Sequence, residues 1–163
     1  MPESLRTKIM RWGFNLFPAY VSTGARVTYI AHDFCEVHIK LPLTWRTRNY
    51  VGTIYGGSMY AAVDPIYMIM LIKILGPSYR VWDKAASIEF KRAGRETLRA
   101  KFLLSEEEVN KIRSDLAHES SVERVYTIDL VNGKGEVHAK VVQTIYISKK
   151  SGGEKEARSS RRA

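Results

Sequence analysis

At 163 residues the chain is long enough for one well-filled core and short for two, so a single domain is expected. A formal net charge of +9 makes a polyanionic partner an expectation, and a single cysteine, Cys35, excludes an intrachain disulfide and suits a reducing cytoplasm. No apolar run has the length and charge-free flanks of a transmembrane segment, since Ile66 to Leu75 is broken by Lys73 and ends at Gly76-Pro77, and the N-terminus lacks the continuous apolar core of a secretory signal.

Ser4 to Phe17 places Leu5, Ile9, Trp12 and Leu16 at helical spacing with Arg6, Lys8 and Arg11 opposite, which predicts an amphipathic helix ending before Pro18. "ARVTYIAHDF" and "CEVHIKLPL" are β-rich runs joined by a turn around His32 and Asp33, a predicted hairpin. An apolar helix follows from Gly57 to Leu75. "KAASIEFKRA" and "TLRAKFLLS", joined by Gly94-Arg95-Glu96, read as a second hairpin. "SEEEVNKIRSDLAHES" opens on a Ser-x-x-Glu capping box and reads as a short helix. Asn132-Gly133 then marks a hairpin between the two last alternating runs. The domain is expected to span residues 1–148, and the basic stretch 149–163, without apolar periodicity, to be a disordered tail.

Within the apolar helix, Asp64 is the residue that needs a reason, because an unpaired buried carboxylate is costly. Gly56 and Gly57 before it give the backbone freedom to turn sharply, and a helix starting there aims unpaired N–H groups at whatever sits above. Such donors suit the oxygen that becomes negative when a thioester is attacked, with Asp64 as general base or nucleophile and Asn49 orienting the water or the carbonyl. A structural alternative stands beside this. Gly-Gly commonly serves as a turn, and Asp64-Pro65 can kink the helix while the carboxylate bonds to freed backbone or to a tyrosine.

The order of elements, an antiparallel sheet wrapped around one long apolar helix, is an α+β arrangement and resembles the hotdog fold. The central segment is similar to the hotdog thioesterase superfamily, particularly its phenylacetate-pathway type, in which an Asn precedes a His-Gly-Gly by six residues and an Asp follows that His by nine. Here the matching residues are Asn49, Tyr55-Gly56-Gly57 and Asp64, with tyrosine where the thioesterases usually have histidine. "SIEFKRAGRETLRAKFLL" also looks like that family's strand after the helix. The likeness covers roughly Arg26 to Ser148 and is nearest to an uncharacterised hotdog subfamily known only as a domain of unknown function.

The resemblance implies a homodimer, with pairing of dimers into tetramers left open, that binds and hydrolyses an acyl thioester such as acyl-CoA. Asp64, Gly56, Gly57, Asn49 and Tyr55 would form the catalytic group. Coenzyme A would enter as part of the substrate, and no separate cofactor or metal is expected. Lys91 and Arg92 are candidates to meet its phosphates, although strand alternation allows only one of them to face the site. Two other readings remain: a catalytically silent acyl-thioester-binding or regulatory hotdog protein, which Tyr55 favours, and a basic protein that binds an anionic membrane or nucleic acid through its N-terminal helix and tail. Basic and aromatic residues interleave too sparsely for sequence-specific nucleic-acid recognition. His32, His38, His118 and His138 lack metal-ligand spacing, with His38 and His138 expected to be partly exposed strand residues, and Cys35 is expected to be a small buried apolar side chain.

Overall fold

The computed structural model describes residues 2–150. Helix α1 (Leu5–Leu16) starts from a reciprocal cap in which the Ser4 hydroxyl accepts from Thr7 N–H and the Thr7 hydroxyl accepts from Ser4 N–H. It stops at Phe17, because Pro18 cannot continue it, and Pro18 then opens a short second helix, α2 (Pro18–Thr23), that the sequence pattern did not announce. Gly24 ends α2 in the left-handed region at φ 80°, where a Cβ would stand 2.1 Å from the Thr47 methyl carbon. The apolar stripe of α1 does not pack inward as amphipathicity suggests. Met10 and Phe14 meet the core, whereas Leu5, Ile9, Trp12 and Leu16 face outward.

Strands β1 (Arg26–Ile30) and β2 (Glu36–Leu41) form the expected hairpin. Helix α3 (Gly56–Leu75) follows, then β3 (Tyr79–Phe90), β4 (Leu98–Leu103), α4 (Glu106–His118), β5 (Ser121–Val131) and β6 (Val137–Lys149). The sheet has six strands in the order β1-β2-β4-β5-β6-β3. The hairpin expected between β3 and β4 is absent: β3 pairs with β6 along its length, and β4 lies between β2 and β5. Burial decides this. β4 buries Leu98, Ala100 and Phe102 on alternate positions and takes an interior place, whereas β3 is exposed along much of its length and takes an edge. The β5–β6 hairpin forms as expected, but Gly135 at φ 81°, not Gly133, takes the left-handed turn position.

α3 lies against the concave face, with Ala62, Val63 and Leu71 at no measurable exposure. It is long and apolar enough to cross a bilayer, yet it is the core helix here. Pro65 sits inside it without ending it. At the C-terminus β6 runs to Lys149, and Lys150 N–H donates to Ser78 O at 2.9 Å, so the packed chain passes residue 148. The rest of the expected tail lies outside the described residues.

Candidate active site

α3 starts from Tyr55, which makes no side-chain cap and spends its own N–H on Thr47 O at 2.7 Å. The first-turn N–H groups of Gly56, Gly57 and Ser58 have no carbonyl one turn earlier, which leaves partial positive charge at the helix start. Neither glycine has positive φ, and both are helical, so the sharp backbone turn expected of them is not their role. Their role is steric. A Cβ on Gly56 would stand 2.7 Å from Phe90 Cζ, and one on Gly57 2.3 Å from Tyr55 Cε1. Only glycine lets these two rings lie against the first turn.

Beside the helix start lies an open cleft of about 390 Å³ whose lining includes Asn49, Gly56, Phe90, Lys91 and Arg92. Both cations line it, contrary to the alternation argument, because β3 ends at Phe90 and the chain leaves the strand before them. Lys91 pairs with Glu89, and Arg92 lies 3.9 Å from Glu136. Asn49 Nδ2 donates to Thr53 Oγ1 at 2.9 Å while its Oδ1 accepts from Thr53 N–H at 3.0 Å. Both ends of that amide therefore shape the loop before α3.

Asp64 lies eight residues further on, roughly 12 Å along the axis at about 1.5 Å per residue. It does not line the cleft. Its Oδ1 accepts from Tyr60 O–H at 2.8 Å, one of the structural outcomes expected for it, and its backbone carbonyl accepts from Gln143 Nε2 at 2.9 Å. Gln143 is fully buried on β6 and also reaches Asp83 Oδ1 at 3.4 Å, while its own Oε1 is buried without a partner among the described residues. Burial, and then the charge of Asp64, push the Asp83 carboxyl up to about 6. Burial and the bond to Asp64 push the Tyr60 phenol up to about 12, so it stays a proton donor at neutral pH. The raised Asp83 carboxyl makes this an environment that can take up and release a proton between about pH 5 and 7.

Of the sequence-derived residues, the structure gathers Asn49, Gly56, Lys91 and Arg92 at one end of α3, sets Tyr55 and Gly57 at its rim, and places Asp64 apart. Sequence reasoning gave no site role to Tyr60, Asp83, Gln143 or Phe90. The β-rich pattern begins at Lys84, one residue after Asp83, whereas β3 begins at Tyr79 and carries Asp83 beside the core helix. His138, expected to be partly exposed, is buried under the loop after β3, with Nδ1 3.1 Å from Ala93 O. Burial raises the Cys35 thiol above its ordinary value, which disfavours a reactive thiolate. The apolar cavity between α1, β1, β2 and α3 holds about 20 Å³, too little for an acyl chain.

A six-stranded antiparallel sheet wrapped on one apolar helix places the protein in the hotdog class. The chain belongs to the family described as Domain of unknown function (DUF4442), whose model matches residues 6–147. It is similar in structure to a Pseudomonas aeruginosa protein of unknown function described as a probable thioesterase, at TM-score 0.78 and 18% identity over 91% of this chain and 99% of that one. A Chlorobaculum tepidum protein of unknown function gives TM-score 0.71 and 14% identity over 89% and 95%. A Haemophilus influenzae thioesterase gives 0.65 and 14% over 91% and 93%. At such identities the likeness carries the fold alone. No curated protein matches the sequence.

Proposed function

We propose that the protein is an acyl-thioester hydrolase acting on acyl-CoA as a homodimer. The observation that carries this reading is the uncapped start of α3, which opens beside a cleft bearing Lys91 and Arg92. N–H donors there suit a thioester carbonyl, and the two cations suit the phosphates of coenzyme A. Asp64 lies too far along the same helix to meet that carbonyl. Two copies paired through β3 would bring the carboxylate of one to the helix start of the other. Asp64, with one oxygen held by Tyr60, would take the proton from an attacking water or attack the carbonyl itself, while the Gly56 and Gly57 N–H groups steady the oxyanion and the thiolate departs with a proton.

One observation favours a silent acyl-binding protein instead. The Tyr55 ring lies over Gly57, where it offers no imidazole and narrows access to the donors. A thiol-release assay across acyl-CoA chain lengths, with mass spectrometry of copurifying ligand, separates the two. Turnover by the wild type that Asp64→Asn removes, with ligand affinity and melting temperature retained, is the expected result, because the amide keeps the shape and loses the basicity. Undiminished turnover in Asp64→Asn overturns the role of that residue. Copurified acyl-CoA without turnover establishes the silent reading.

A further inference from the structure

We infer that the outer face of α1, together with the neighbouring Trp45, is a docking surface for an anionic phospholipid bilayer. Leu5, Ile9, Trp12 and Leu16 recur at helical spacing on one stripe, and they are 76, 64, 63 and 71% exposed. Phe17 and Trp45 extend the patch at 61 and 85% exposure. A helix that already buries Met10 and Phe14 has no need of a second apolar stripe for folding. Contiguous exposed apolar surface of this kind marks an interaction site.

Charge selects the occupant. Lys8, about 60° round α1 from Leu5 and so at the margin of the stripe rather than opposite it, is exposed, as are Arg26 and Arg46. Arg26, Lys40 and Arg46 share a groove with Trp12, Leu16 and Trp45. From Ser4 to Val63 the acidic residues are Asp33 and Glu36, neither on α1. Glu3, just before the helix, is spent on an ion pair with Arg11. Tryptophans and leucines on one side of a helix with cations at its margins are the composition of a helix that lies in the plane of an anionic membrane interface. A protein partner would call for acids as well as apolar groups, and a second copy would set these cations against one another. The inference stands apart from the proposed hydrolysis, because the face is remote in the chain from Gly56 and Asp64 and needs neither.

Cosedimentation of the full chain with phosphatidylcholine vesicles, with and without phosphatidylglycerol, tests it at low and at high salt. The wild type should pellet with the anionic vesicles, with blue-shifted tryptophan emission, and should be released as salt screens the cations. Trp12→Glu with Leu16→Glu should weaken binding roughly tenfold or more at unchanged melting temperature, since both side chains are already solvated. A full-length variant with Arg158, Arg161 and Arg162 changed to Gln should still pellet. The inference is overturned if the wild type stays in the supernatant, or if the tail variant loses binding while the α1 variant keeps it. It is equally overturned if the α1 variant alters only the oligomeric state by light scattering, which would make the face an interface between copies.

Discussion

The two edges of the sheet are finished differently. At β1 the side chain of Asn15 stands in for a neighbouring strand, its Nδ2 donating to Val27 O and its Oδ1 accepting from Val27 N–H, both at 2.8 Å. Glu3 Oε1 accepts from Ile30 N–H on the same edge at 3.4 Å. At β3, 12 residues long, no element covers the outer side among the described residues, and Lys84, Ala85, Ala86 and Ser87 are all exposed. Long open edges invite pairing with another chain, and folds usually block them. This chain blocks one and leaves the other bare, beside Asp83 and the Asp64 side of α3, which is where the proposed pairing of two copies falls.

The strongest way to break the comparison is a charge on the bare edge. Ala85 is in register with Thr144, so it points to the face opposite Gln143 and the carboxylates. Ala85→Asp sets like charges against each other across a two-fold axis. Light scattering should then report a monomer that is still folded by circular dichroism, and turnover should fall about 10²-fold or more, because the donors and the carboxylate no longer meet. A dimer that survives would move the pairing elsewhere. At the covered edge the opposite outcome is expected. Asn15→Leu leaves a backbone N–H and C=O of Val27 without partners, costing about 1–3 kcal/mol of stability with the oligomeric state unchanged. Chemical denaturation of the two variants side by side checks this.

What was legible in the sequence is what local chemistry decides. Ser105 announced its helix through a cap, Pro18 stopped α1, and the Asn132 turn gave its hairpin. The double glycine, Tyr55 and Asp64 drew attention to α3. What stayed hidden depends on contacts distant in the chain. The partner of β3 is β6, whose residues lie from 49 (Phe90 with Ala139) to 70 (Tyr79 with Lys149) positions later, and no turn signal encodes that. Gly56 is needed because of Phe90, and Asp83 matters because β3 passes beside Asp64. The outward stripe of α1 was visible as spacing, but the side that faces the core is fixed by Met10 and Phe14 meeting it, a packing choice rather than a periodicity.

The smallest effect concerns the charge held at the bare edge. Asp83 ionises near 3.8 when unfolded and near 6 when folded, through burial first and the Asp64 charge second. Below about pH 3 both states are protonated and the residue carries no penalty, and at pH 4 the penalty is still small. As pH rises from 4 to 6 the unfolded chain releases this proton first, so stability falls across that window and the loss is complete above about pH 6. Asp83→Asn stays neutral throughout and should therefore stabilise the protein at pH 7.5 but not at pH 4. The full shift corresponds to about 3 kcal/mol, and solvent reaching a partly exposed side chain lowers the expected gain to roughly 1 kcal/mol, or a few degrees in melting temperature. Thermal melts of both proteins at the two pH values measure it. If copies pair over this edge, Asp83 is more deeply buried in the pair, and the pH-dependent gain should grow with protein concentration. A gain independent of concentration would leave Asp83 an ordinary partly buried acid and place the second copy away from β3.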